Sequence, residues 1–584
     1  MVESFLLAAL LAVTQDVTAD VETDELAAEV ATPTLIPAER DEDPSSSVVS
    51  LLDYQVAQVN RIDVASGRTK VSVESNAPSP RSGSFPVRFF VDNTSGPTQV
   101  LTLSIRSTVS GGMHSVVRSV EVNAGERRTV NVPVPSELRY GTVRAEGPGI
   151  SEDANASMYF QATYDPQRVV LTISRPEQFE KYVGKAPRYS GANVQVHAIP
   201  PGEAPGELAS YLGYDAIVVP DSAILDTLEE SQRRALEAYV ATGGHLLVGG
   251  VVRSAAIFPL LKAIRPGTSR YGFGKLLVTT GPPTGDLDVF RDTLPVSPHG
   301  ALPEYERRYN SDAKKDLLLP QATAPLGRFL LIITLFTLAI GPGSVWVARR
   351  RGPAALLVTI PGTAVITCAL IIAYSVIADG FTVHTSSYGF TLLDSRQHRA
   401  ITHGVTAYYA NLAPSKATLG PGTMLVAPFE DRRDKYVADL AWKDGLSLGG
   451  DFVPSRTYRE WGFISVEPTR ARVVVKRKGE SWVAQNALGV RVERVLVNVD
   501  GQFFTGGPIR DGGELELAPG NTLTYAGSIA ASRFSSDVTD TVGSSTLQHH
   551  QFLAKITGAS LVPTGGISAT LNDAEHWVRG EFEE

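Results

Sequence analysis

A chain of 584 residues has room for roughly four domains of ordinary size, and a net charge of −9 excludes the basic face that a nucleic-acid partner needs. One cysteine, Cys368, excludes intrachain disulfides and multi-cysteine metal sites. The 52 glycines and 37 prolines suit turn-rich β structure.

Residues 5–13 (FLLAALLAV) form an apolar run too short to span a bilayer, and Val17-Thr18-Ala19 fits signal-peptidase cleavage before Asp20. Residues 1–19 are therefore expected to be a signal peptide, although Glu3 stands where a basic residue is usual. Residues 20–84 open on an acidic, Pro- and Ser-containing stretch that buries too little apolar surface to offset its ordering entropy, so a disordered spacer is expected.

Between 85 and 165, runs such as FPVRFFV (85–91) and QVLTLSIR (99–106) alternate apolar with polar between turn clusters. That pattern predicts an Ig-like β-sandwich. Over 166–285 the pattern turns to strand–helix alternation. RVVLTI (168–173) reads as a buried parallel strand, and Thr227 with Glu230 forms a capping-box pattern at the start of a helix that stops at Gly243-Gly244.

The stretch YDAIVVPD, a helix, then ALEAYVATGGHLLVGG resembles the class I glutamine amidotransferase-like, flavodoxin-type fold. Active members of that group carry a Cys nucleophile and a His partner. This stretch has no Cys, so no catalytic residue is assigned. Asp221 and Ser222 follow a strand end, where open α/β sheets bind ligands. With Ser254 they are the candidate ligand-binding residues, although a turn or cap role fits each of them. Gly445-Leu446-Ser447-Leu448-Gly449 matches a nucleophile elbow in letters only, since no strand leads in and no helix leads out. No metal-ligand spacing occurs, and no metal or cofactor is expected.

After a linker at 286–328, residues 329–348 and 354–378 are two uncharged apolar runs joined by Arg349, Arg350 and Arg351. Each is long enough to span a bilayer, so a two-helix transmembrane hairpin over 329–378 is expected. The arginines act as topology determinants by the positive-inside rule, and Pro342 and Pro361 as helix kinks. The ordered set Phe336, Ile340-Gly341-Pro342, the arginine turn and Thr359-Ile360-Pro361 resembles an uncharacterised family of bacterial two-helix membrane proteins with an extracytoplasmic amidotransferase-like domain. That resemblance implies location and architecture only. Alternating segments then predict β-rich domain(s) over 379–570, with 571–584 as a tail.

The expected fold class is thus a multidomain membrane protein: an Ig-like β-sandwich, an α/β flavodoxin/amidotransferase-like domain, a transmembrane hairpin and C-terminal all-β domain(s). The expected function is a non-catalytic, plasma-membrane-anchored binding or assembly protein. Its partners are the lipid bilayer and a membrane or envelope protein, and both flanks of the hairpin lie outside the cytoplasm, with the loop 349–353 inside. Two alternatives stand beside it: an auxiliary subunit of a transporter or signalling complex, and a hydrolase or amidase built on Asp221, Ser222 and Ser254.

Overall fold

The computed structural model describes residues 54–584 apart from 163–167, 184–193, 253–256, 280–317, 320–325, 375–381, 427–437, 524–533 and scattered shorter stretches. The expected signal peptide, the acidic stretch before Tyr54, most of the linker and Ser254 lie outside the described residues. Strand accounts for 51% of the structure, and the described part falls in one compact unit.

A parallel sheet does form. Its order is Tyr54–Val56, Val194–Ile199, Arg168–Ile173, Ala216–Val219, His245–Val248, Gly274–Val278 and Gly267–Tyr271. All neighbours pair parallel except the last two, which pair antiparallel. The inner strands are buried almost throughout, as continuous apolar runs require. The helix after Ala216–Val219 begins later than the sequence suggests. Glu229 is its N-cap and shares a capping box with Gln232, while Thr227 ends the preceding short helix and donates its hydroxyl to the Ile224 carbonyl, 2.7 Å away.

The expected fold class is nevertheless overturned. One apolar core runs continuously from Val64 to Trp577, so the parallel sheet is a layer of a mostly β molecule and not an independent amidotransferase-like domain. Residues read as spacer supply structure: Tyr54–Val56 is the edge of the parallel sheet, while Asn60–Ala65 and Lys70–Ser75 pair with Ser84–Asp92 and Arg127–Pro135 in a four-stranded sheet. Its sandwich partner is a seven-stranded sheet built from two distant parts of the sequence, 99–159 and 417–450. Its strand Gly112–Val122 pairs parallel with Ala438–Trp442, which lies beyond the apolar helices. Trp442 donates its indole N–H to the Pro133 carbonyl at 3.1 Å, tying this sheet to the four-stranded one.

The remaining eleven-stranded sheet is centred on Val383–Asp394, Arg399–Ala410 and Ala569–Glu581. Residues 571–581, expected to be tail, lie in the last of these. Their apolar side chains are few, but Trp577 and Val578 are buried. The far strands of this sheet enclose a second, smaller core around Val475, Val497 and Phe552.

Among the described residues, no helix is long and apolar enough to cross a membrane, so the expected hairpin of two spans is also overturned. The first run is divided into an α-helix at Leu326–Leu338, a π-turn at Ala339–Gly343 and a second α-helix at Ser344–Arg351. Pro342 has no N–H to give, and its ring pushes against the carbonyl four residues back, which widens the turn. Gly352, at φ 84°, reverses the chain before the helix Leu356–Tyr374. Pro361 lies inside this nineteen-residue helix, where its ring removes one N–H donor from the ladder.

Candidate functional site

Asp221 and Ser222 sit where the sequence placed them, just past the strand Ala216–Val219, but their polar atoms are engaged locally. Asp221 Oδ1 accepts the Ala223 N–H at 2.9 Å. The Ser222 hydroxyl donates to the Val251 carbonyl at 2.9 Å, and its N–H donates to the Gly249 carbonyl at 2.6 Å. These are turn contacts that carry the chain from strand to helix. Ser447, from the elbow-like pattern, lies in the strand Leu446–Gly450 between Thr418 and Ala441, with no elbow around it. Among the described residues no group of three or more His, Cys, Asp or Glu is arranged to hold a metal ion.

Two polar clusters that sequence reasoning missed join the sheets. In the first, His197 of the parallel sheet lies between Glu74 and Tyr214. Its Nε2 is 2.8 Å from Glu74 Oε1 and its Nδ1 is 2.7 Å from the Tyr214 hydroxyl. An ionised Glu74 only accepts, which places a proton on Nε2. Arg88 from the four-stranded sheet closes on Glu74 with two N–H groups and reaches Glu203 with a third. Burial pushes the Glu74 carboxyl up, but His197 and Arg88 outweigh it and hold the group down at about 2. Glu74 and His197 side chains are 2% and 0% exposed, so no substrate reaches them.

In the second cluster, Arg399 of the eleven-stranded sheet grips Glu237 bidentately at 2.6 and 2.7 Å and Asp394 at 3.0 Å, and Tyr271 donates to the same Glu237. Beside it, His403 Nε2 meets the Thr242 carbonyl at 2.8 Å. His197 and His245 look in the sequence like ordinary strand residues, and no local signal reveals that partners of His197 and Glu237 lie 123 and 162 positions away. Both clusters hold layers together and leave no reactive group facing solvent.

What does face outward is the apolar helix pair. None of the described side chains of 330–372 is fully buried. Leu330, Leu331, Leu335 and Trp346 are exposed on the first half, and Leu357, Val358, Val365, Ile366 and Ile372 on the second. Leu357 and Val358 are 81% and 76% exposed. At 100° per residue Leu357, Val358, Val365, Ile366 and Ile372 fall within an arc of about 180°, so half the circumference of Leu356–Tyr374 is apolar and exposed. Arg349, Arg350 and Arg351 sit at the tip, with the Arg350 guanidinium 4.4 Å from the Trp346 ring centre. Pro342 and Pro361 both lie in this element, each inside a helical segment.

No protein-family model matches the chain, and no curated protein matches it. The resemblance to a two-helix membrane family is therefore overturned, together with the spans that carried it. Among solved structures the chain is similar to a Paenibacillus sp. cycloisomaltooligosaccharide glucanotransferase complexed with cycloisomaltoheptaose, at 15% identity and a TM-score of 0.13. That match covers 29% of this chain and 21% of the other, and a likeness at this level carries no argument about fold or function.

Proposed function

We propose that the chain is a non-catalytic binding or assembly protein held at the plasma membrane, with its β body outside the cytoplasm. The single observation behind this reading is the exposed apolar helix pair tipped by three arginines. Contiguous apolar surface on this scale marks an interaction site, and each large side chain moved out of water contributes about 1.5–3 kcal/mol. The pair rests in the lipid interface, with Arg349, Arg350 and Arg351 against anionic headgroups. The export-type segment at 5–19 supports the extracytoplasmic side, and the internal satisfaction of the buried polar clusters supports a binding role over a catalytic one.

Flotation of the full chain with vesicles containing one-third anionic lipid tests it. The chain is expected to float with the vesicles, and serine replacements at Leu335, Leu357, Val358 and Ile366 to abolish flotation while the β body keeps its melting temperature. A wild-type chain that stays at the bottom of the gradient contradicts the proposal.

A further inference from the structure

Away from the helix pair, a cleft of about 540 Å³ opens between the eleven-stranded sheet and the loop 561–567, a size within the range of small-molecule sites. Its polar lining is unusual in composition: hydroxyls of Thr385, Ser387, Thr418, Thr423 and Thr564 and, among the described residues, a single ionisable group, Glu467. The Glu467 carboxylate accepts the Thr423 hydroxyl at 2.8 Å and has no ion-pair partner among the described residues. Apolar lining comes from Leu561 and Ile567 of the loop and from Leu571, which pairs with Thr385 in the sheet.

The walls are built and not incidental. Val562 is 2% exposed and seats the loop on Gly389 and Gly404, where an added Cβ would come within 2.8 and 2.4 Å of its methyl groups. The Thr418 N–H donates to the Gly565 carbonyl at 2.8 Å and ties the far end of the loop to the facing strand. At Gly420 a Cβ would stand 2.5 Å from Glu467 Oε1, so the absent side chain lets the carboxylate lie across the turn and into the cleft.

We infer that this cleft binds a small organic cation, a primary ammonium on a compact aliphatic body. One carboxylate without a cation of its own supplies the charge, the neighbouring hydroxyls accept the remaining ammonium protons, and the apolar lining of Leu561, Ile567 and Leu571 takes the hydrocarbon. A carboxylate or phosphate ligand would meet repulsion from Glu467, and among the described residues no lysine or arginine lines the cleft. The inference is independent of the helix pair and of any lipid.

Isothermal titration of the full chain with cyclohexylmethylammonium chloride, against the near-isosteric neutral cyclohexylmethanol, tests it. The expected result is saturable binding of one ammonium per chain, about tenfold tighter than the alcohol, weakening as sodium chloride is raised. Glu467→Gln, a conservative change on a partly exposed side chain, is expected to keep the melting temperature and to erase the preference for the cation. Thr423→Val is expected to reduce it. Absence of saturable ammonium binding by the wild-type chain overturns the inference, as does an unchanged preference in Glu467→Gln, which would place the cation elsewhere.

Discussion

Three buried histidines set how the molecule responds to acid. Burial holds His245, His403 and His576 down at about 3, 4 and 3, with Lys275 adding to the effect at His245 and the Thr242 carbonyl opposing it at His403. In the unfolded chain each titrates near 6.5, so the unfolded state binds protons first as pH falls. Stability is full above about pH 6.5 and declines toward pH 4, by up to about 1.4 kcal/mol per pH unit for each histidine. Glu74 has the carboxylate's pattern. Held at about 2 against 4.5, it contributes above pH 4.5 and is lost only as pH approaches 2. Acid loss between pH 6.5 and 4.5 therefore belongs to the histidines, and urea melts at pH 7, 6 and 5 should show a falling midpoint; a flat midpoint would contradict their burial in neutral form. The Arg399 pair gives a second prediction at this scale. Glu237→Ala strips a buried guanidinium of its bidentate partner and leaves only Asp394, so a loss of about 3 kcal/mol is expected in denaturant unfolding. A loss under 1 kcal/mol would mean that the cluster does not join the layers.

At the scale of elements, what the sequence makes legible is what periodicity and turn chemistry can encode. The run RVVLTI declares a strand buried on both faces, and the alternation of 85–91 and 99–106 declares strands with one covered face; all three strands form, but Ser84–Asp92 is covered on both faces over most of its length. Partners are not encoded locally. Nothing in Ala438–Trp442 announces that it pairs with residues 115–118, more than 300 positions earlier, so an inserted apolar segment looked like a boundary between domains when it interrupts one body. The polar and charged residues of Ala569–Glu581 mask a strand buried on both faces, with His576 on one and Trp577 on the other. Length and lack of charge alone make the apolar helices resemble membrane spans. Pro342 and Gly352 break the helical ladder, and their cost to helix continuity is greater than length and hydropathy convey. Of the candidate site, the strand Ala216–Val219 ahead of Asp221 and Ser222 is legible in the sequence, but their engagement with Ala223 and Val251 depends on how the turn closes. The cross-sequence strand is testable. Trp442 is 7% exposed and fills the space against the four-stranded sheet, so Trp442→Ala should cost about 3–5 kcal/mol and destabilise residues on both sides of the helices together. Hydrogen exchange that loosens only 383–584 would show the two parts to be separate folding units.

At the scale of the whole molecule, residues before and after the apolar helices are strands of the same sheet, share one core and are joined by the Arg399–Glu237 pair. Chain segments that hydrogen-bond in one sheet cannot be divided by a bilayer, because every unpaired backbone group left in lipid would cost several kcal/mol. The helix pair is therefore an excursion from a single β body, and whatever surface it meets, the body lies wholly on one side of it. Under the proposed function that side is extracytoplasmic.

Single-cysteine labelling in intact cells tests this most directly. With Cys368 replaced by serine, a cysteine is placed at exposed Glu121 in one variant and at exposed Glu480 in another. Each is treated with a membrane-impermeant maleimide before and after lysis. The account predicts that both positions label fully before lysis. Labelling of one position and protection of the other would contradict the single body, and protection of both until lysis would contradict its placement outside the cytoplasm.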